Sequence, residues 1–172
     1  MAKPDSRPRP GLLHFAQSVY ALPDVQTLCL RLQDEQDVDV VLLLMCCWHG
    51  CCRGLLSQAQ FEQAAAFSGT WTRQLVKPLR QSRRWLKSHP SAAIGVPGAD
   101  QEDLRQRIKA IELDAEFMQL RALASMFADV EAGHGDAATA VHANLALYAR
   151  LRALNLDDRI MATLTQASLH CV

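Results

Sequence analysis

The chain has no excess of charge of either sign, because 18 lysines and arginines balance 18 aspartates and glutamates. A neutral chain has no overall attraction to nucleic acid or anionic membranes, so such a preference would have to come from a local patch. The longest apolar stretch, Val40–Trp48, is less than half of the roughly 20 residues that a membrane-spanning helix needs. Because Met1–Pro10 lacks the apolar region of a signal peptide, we expect a cytoplasmic protein.

The sequence also lacks the patterns of strands and of common cofactor sites. No segment alternates apolar and polar residues beside turn residues, as a half-buried strand does. Gly-x-Ser-x-Gly, Walker and Gly-x-Gly-x-x-Gly motifs are absent, so the sequence predicts no cofactor. With 172 residues, of which 49% are hydrophobic, the chain can bury a core without disulfides or metal. These features together predict an all-α protein.

Helical periodicity runs through most of the chain. Val40–Trp48 is apolar throughout and follows a good N-cap residue, Asp39, which predicts a buried central helix. The surrounding pattern predicts an irregular bundle of six or seven helices. We expect a disordered tail, Met1–Pro10, followed by a single helical domain over residues 11–172. Residues 89–99 contain several prolines and glycines and predict a linker between its two halves.

Two further details of the helical pattern concern the middle of the chain. Ser68–Thr70 predicts a break or kink after a helix that opens with a capping box at Ser57 and Gln60. A long helix is predicted from Gln101 to about Ala132, with apolar residues recurring at spacings of three and four. Its predicted core face consists of Leu104, Ile108, Ile111, Ala115, Met118, Ala122 and Met126.

Several short sequences occur in an order that resembles one protein family. They are Phe15–Tyr20, Val25–Leu30, Leu32–Asp34, Asp39–Val40 before the apolar run, Trp71, Lys77–Arg80, Arg83–Lys87 and Ile111–Glu116. Over roughly residues 12–120 this order resembles the DUF2390 family of small proteobacterial proteins. The resemblance implies a bacterial cytoplasmic protein and brings no catalytic residues to carry over. The chain departs from the family pattern at His14, Asp37 and Val41, where tryptophan, glycine and asparagine are expected.

The most distinctive polar pattern is a group of cations between residues 70 and 90, a stretch that contains no acid. Five of them follow one another at spacings of four, three, four and three residues, which places them along one side of a helix. The six cations, called the basic face below, are Arg73, Lys77, Arg80, Arg83, Arg84 and Lys87. Such a face suits an acidic protein surface or the phosphates of a nucleic acid, and Trp71 and Trp85 could stack on bases.

A structural role for the basic face is the main alternative. The acids that could neutralise it are Asp34, Glu35, Asp37 and Asp39. If Asp34 pairs with Arg80 or Arg84, it attaches the basic helix to the core. Asp34 and Asp39 are therefore candidate supporting residues for either role, although both also suit helix ends.

Two other groups invite chemical interpretations. Cys47 and Cys51 share a helical face within Cys46–Cys52 and are candidate zinc ligands, but buried cysteine is also a common small apolar residue. Glu112 and Glu116 lie one turn apart and could bind a divalent cation. Because neither glutamate is followed by a histidine three residues later, as in the Glu-x-x-His sequence of di-metal helical sites, ordinary helix ion pairs are the better interpretation.

The sequence thus favours binding over catalysis, with a protein or nucleic-acid partner on the basic face. One alternative is a small helical enzyme or carrier that holds an apolar ligand between helices, with its anionic head group on Arg80, Arg83 and Arg84. The other is a thiol- or metal-sensing module on Cys46–Cys52. No residue pattern specifies the oligomeric state.

Overall fold

The computed structural model describes residues 9–131, 133 and 135–172, and these residues form helices and connections without strands. The helices are α1 (Leu12–Tyr20), α2 (Pro23–Gln36), α3 (Val40–Cys52), α4 (Gln58–Trp71), a π-helical segment (Thr72–Val76), α5 (Lys77–Ser88), α6 (Ser91–Ile94), α7 (Gly98–Met126), α8 (Ala137–Arg152) and α9 (Asp158–His170). The predicted all-α bundle is confirmed, with eight helices of nine residues or more in the described part of the chain. The predicted tail falls largely on residues 1–8, which lie outside it.

Helix α3 is the centre of the bundle, as its apolar sequence predicts. The side chain of Asp39 caps it by accepting a hydrogen bond from the Leu42 N–H at 3.1 Å. Every residue from Val41 to Cys52 is buried. Helix α8 crosses closely at Gly50, where a Cβ atom would lie 2.6 Å from the backbone of Val141. This glycine therefore sets the distance between the two helices.

The predicted break at Ser68–Thr70 is wrong, because α4 continues through these residues to Trp71. Its capping box at Ser57 and Gln60 is present as predicted. The irregularity comes one turn later, where the Lys77 N–H bonds to the carbonyl of Thr72, five residues back. Pro78 explains this position, since proline lacks an N–H and its ring crowds the preceding turn of a helix. The wider π turn accommodates it and keeps α4 and α5 in one helical path.

The predicted core face of α7 is also largely wrong. Of its seven residues only Ala115 is buried, while Leu104, Ile111 and Met118 are exposed. The buried residues of α7 lie on an adjacent side and are Glu112, Ala115, Gln119, Leu120 and Leu123. The reason is that α5 and the π-helical segment present arginines and hydroxyl groups to this side, so polar residues of α7 are buried against them.

Residues 89–99, the predicted linker, contain the four-residue helix α6 and the first residues of α7. The Gln101 amide of α7 donates to the carbonyls of Leu86 and His89 at 2.5 and 2.7 Å. These bonds tie the start of α7 to the end of α5. In the described part of the chain, no helix is long and apolar enough to cross a membrane.

Replacing Gly50 by alanine should lower the free energy of unfolding by about 2 kcal/mol, because the added Cβ forces α3 and α8 apart. Gly69→Ala is the matched control. A Cβ at position 69 meets no atom within 4 Å, so this change inside α4 should raise the stability by about 0.5–1 kcal/mol. Chemical denaturation of both variants measures the difference. Equal losses of stability would contradict the close crossing at Gly50.

Candidate functional site

The basic face is divided between the interior and the solvent. Its interior part is Arg80 and Arg83, which face α7. Glu112 accepts hydrogen bonds from Arg80 Nε at 2.7 Å and from Arg83 Nε at 2.6 Å, and Arg80 Nη2 reaches Glu116 at 2.7 Å. The Glu112 side chain is only 8% exposed. The sequence indicated ion pairs within the helix for Glu112 and Glu116, with Arg105 and Lys109 as partners, whereas the structure pairs both glutamates with arginines of α5. Arg105 pairs with Glu102 instead.

A second polar group lies close by and was not predicted. Asp39 Oδ2 accepts hydrogen bonds from Ser68 Oγ at 2.5 Å and from Thr72 Oγ1 at 3.1 Å. The buried amide of Gln119 donates to both hydroxyl groups, at 2.7 and 3.1 Å. Asp39 thus caps α3 with one oxygen and holds α4 and the π-helical segment with the other.

One signal in the sequence could have revealed this second group. Gln119 continues the four- and three-residue spacing of Glu112 and Glu116, which places it on the same side of α7 as these glutamates. Ser68 carried no such signal, because it falls in the segment predicted to break the helix. Its role depends on the unbroken path of α4.

The two glutamates of α7 differ in their electrostatic environment. Burial opposes the charged form of Glu112, but hydrogen bonds from Arg83 and Arg80 outweigh it and lower the pKa of this carboxyl group. Burial raises the pKa of Glu116, and the neighbouring carboxylates of Glu112 and Asp39 add to the rise despite Arg80. The charge of Arg80 is shared between two carboxylates, and Glu112 has the support of Arg83 as well. Glu112 is therefore the anion that the fold requires.

The solvent-facing part of the basic face consists of Arg73, Lys77, Arg84 and Lys87. Two of these cations pair with acids at the end of α2. Arg84 lies 2.6 Å from Asp34 in its last turn, and Lys77 lies 2.5 Å from Asp37, the residue that follows it. Both pairs are well exposed, so each contributes at most about 1 kcal/mol to stability. The pairing of Asp34 with Arg84 is one of the two that the sequence suggested.

The other two solvent-facing cations contact no acid within the described residues. Arg73 donates a long hydrogen bond of 3.4 Å to the Thr70 hydroxyl group. Lys87 is exposed at the end of α5. Four positive groups therefore remain accessible to solvent along this side of the helical path.

The two tryptophans beside the basic face differ in accessibility. Trp71 donates from Nε1 to the Ala115 carbonyl at 3.0 Å and packs against Phe67, which fixes it between α4 and α7. Trp85 is 48% exposed, and its ring stacks on that of His89 with centroids 4.8 Å apart. Only Trp85 is thus placed to contact another molecule.

The cysteine-rich segment lies inside the core. Burial raises the pKa of both Cys47 and Cys51 to about 12, so both thiols are protonated at neutral pH. Zinc binds the thiolate form, which is disfavoured here. Over residues 9–131, 133 and 135–172, no three histidine, cysteine, aspartate or glutamate side chains come together as metal ligands.

Two hollows lie on the surface, away from the cysteines. Both are open grooves beside α5 and α7, one lined by Trp85, Leu86, Leu104 and Ile108 and the other by the α5–α7 connection. Helix α3 borders neither of them. The carrier interpretation placed its apolar ligand against α3, and neither of these two grooves is at that position.

The protein is therefore an all-α bundle in which a buried ion-pair cluster joins two helices and leaves cations on the surface. Residues 12–123 match the family described as "Protein of unknown function (DUF2390)". Because this match covers more than half of the chain, the protein belongs to the DUF2390 family, as the sequence resemblance suggested. No curated protein and no solved structure matches the chain.

Replacing Glu112 by glutamine should lower the free energy of unfolding by about 3 kcal/mol at neutral pH, because two arginines lose their common anion. The pKa of Glu112 is lowered from 4.5, so its contribution exists above that pH and disappears as the pH falls through the folded-state pKa. The difference between wild type and Glu112→Gln should therefore shrink in acid. Denaturation curves across pH measure it.

Glu116→Gln is the matched control for this prediction. The pKa of Glu116 is raised, so its contribution is full below 4.5 and is lost as the pH rises through the folded-state pKa. The glutamine variant should then gain stability relative to wild type as the pH rises to neutrality. A larger loss in Glu116→Gln than in Glu112→Gln would contradict the assignment of Glu112 as the required anion.

Proposed function

We propose that this protein is a non-catalytic interaction module that binds an acidic segment of another protein. The binding surface is the solvent-facing part of the basic face, Arg73, Lys77, Arg84 and Lys87. The observation that supports it is the division of the six cations. Arg80 and Arg83 are held by the acids of α7, and the other four stay on the solvent side. The proposal therefore narrows the predicted binding surface to four residues.

The contacts with α2 indicate the kind of ligand that fits. Asp34 lies in the last turn of α2 and Asp37 directly follows the end of that helix, and they reach Arg84 and Lys77. A partner segment that carries several acids along its length could make similar contacts with the remaining cations, Arg73 and Lys87, at the two ends of this surface. Since the existing pairs are exposed and weak, the partner could also displace them at little cost.

A protein partner suits this surface better than a nucleic acid. The carboxylates of Asp34 and Asp37 lie among the cations, and the chain as a whole is neutral. A long phosphate backbone would meet these acids as well as the cations, whereas a short acidic segment can match the positive positions alone. The fixed position of Trp71 also removes one of the two aromatic rings that could stack on bases.

The alternative functions have less support. A carrier would need the guanidinium groups of Arg80 and Arg83 for its ligand, and Glu112 already binds both. A thiol sensor would need accessible thiolates, and burial keeps Cys47 and Cys51 protonated. The interaction module therefore has more support than the carrier or the thiol sensor.

The double variant Arg73→Glu, Lys87→Glu should weaken the binding of an acidic helical peptide at least about tenfold, because both cations become repulsive. The probe is a fluorescent peptide with aspartates at every third or fourth position, and fluorescence anisotropy gives its affinity. The control variant Arg150→Glu, Arg159→Glu reverses two exposed cations on α8 and α9 and should bind as wild type does. Circular dichroism confirms that both variants are folded.

A single-stranded oligonucleotide of equal charge is the second probe in this experiment. Wild-type protein should bind it more weakly than the peptide at the same salt concentration. Tighter binding of the oligonucleotide would assign the surface to nucleic acid and contradict the proposal. Absence of peptide binding, or equal binding by both double variants, would also contradict it.

A further inference from the structure

Helix α7 carries an apolar stripe that the fold leaves in solvent. Leu104, Ile111 and Met118 are 43%, 52% and 54% exposed. They are spaced by seven residues, so they follow one another along one side of the helix over about 21 Å. The stripe continues at one end into the open groove beside α5, where Leu104 and Ile108 face Trp85. A stripe of large apolar side chains in solvent is typical of an interaction site.

A row of charges runs along one flank of this stripe. Its members are Asp100, Arg107, Asp114 and Arg121, again seven residues apart. All four are exposed, and their charges alternate in sign along the helix. Arg107 also lies 3.6 Å from Asp103, but both side chains of this pair are about 70% exposed, so the pair is weak. The opposite flank of the stripe is covered by α5 in the same chain.

We propose that the α7 stripe binds the α7 stripe of a second copy of this chain in an antiparallel arrangement. With the two-fold axis beside Ala110 and Ile111, Leu104 of each copy lies close to Met118 of the other. The two Ile111 side chains then meet at the centre. This arrangement buries the three stripe residues of each copy in one interface.

The charge row identifies the partner as a second copy. In an antiparallel pair related by a two-fold axis, the same flank of both helices meets. Arg107 of one copy then faces Asp114 of the other, and Asp100 faces Arg121. All four contacts join opposite charges, because the row is complementary to its own reverse. In a parallel pair the row would instead face the flank that α5 covers.

This dimer is independent of the acidic-partner surface. The proposed peptide site uses cations of α5 and the π-helical segment, whereas the dimer uses the stripe and charge row of α7. Variants of one surface leave the residues of the other unchanged. The two proposals can therefore fail separately.

Ile111→Glu tests the apolar centre of the interface. Wild-type protein should sediment as a dimer in analytical ultracentrifugation, and the variant should raise the dissociation constant at least about tenfold. Lys109→Glu, an exposed charge change on the side of α7 away from the stripe, is the control and should remain dimeric. A monomeric wild type at high-micromolar concentration, or a dimer unaffected by Ile111→Glu, would overturn the proposal.

The charge row allows a test by reversal and rescue. Arg107→Asp places two pairs of like charges across the interface and should weaken the dimer, as should Asp114→Arg. The double variant Arg107→Asp, Asp114→Arg restores opposite charges at both contacts, so it should recover most of the wild-type affinity. Additive losses in the double variant would overturn the arrangement.

Cysteine cross-linking tests the direction of the two helices. In the antiparallel pair, Ile111→Cys places two thiols near the two-fold axis, and oxidation should link the copies. Leu104→Cys places them about 20 Å apart, so that variant should stay unlinked. Both are made with Cys171→Ser, because the other native cysteines are buried. Linkage through position 104 would indicate a parallel pair and overturn the proposal.

Discussion

The contact of Glu112 with Arg80 and Arg83 is the interaction on which the arrangement of α5 and α7 depends. A carboxylate that is 8% exposed must be paired, because an isolated charge in the interior is very costly. Two guanidinium groups from one helix supply that pairing and fix how α5 rotates about its own axis. Once α5 is fixed in this way, its remaining cations have to face the solvent.

Asp39 provides the second polar connection, which joins α4 and the π-helical segment to the central helix α3. Its carboxylate caps α3 and accepts hydrogen bonds from the hydroxyl groups of Ser68 and Thr72. Thr72 stands at the start of the π-helical segment, which the chain forms ahead of Pro78. Pro78 in α5 therefore explains where the π-helical segment forms, and Asp39, the N-cap of α3, holds the start of that segment through Thr72. This contact determines the helical path that carries the basic face.

The burial of polar residues on α7 has a consequence at the surface. Since Glu112 and Gln119 occupy the buried side of the helix, several of its large apolar residues lie outside the core. The protein thus exposes cations on α5 and an apolar stripe with alternating charges on α7. Both features fit a protein that acts through contacts with other chains. The cysteines and the core around α3 have a packing role in this view.

Much of the fold could be predicted from local sequence. The apolar run after Asp39 determined a buried central helix, and the run of cations without acids determined a basic helical segment, because both properties depend on neighbouring residues only. The tertiary structure decided which side of each helix is covered. The apolar residues Leu104, Ile111 and Met118 look like a core face by spacing, but Arg80 and Arg83 attract Glu112 inward and turn these three residues out. Sequence spacing defines the sides of a helix, and only packing against other helices selects the buried one.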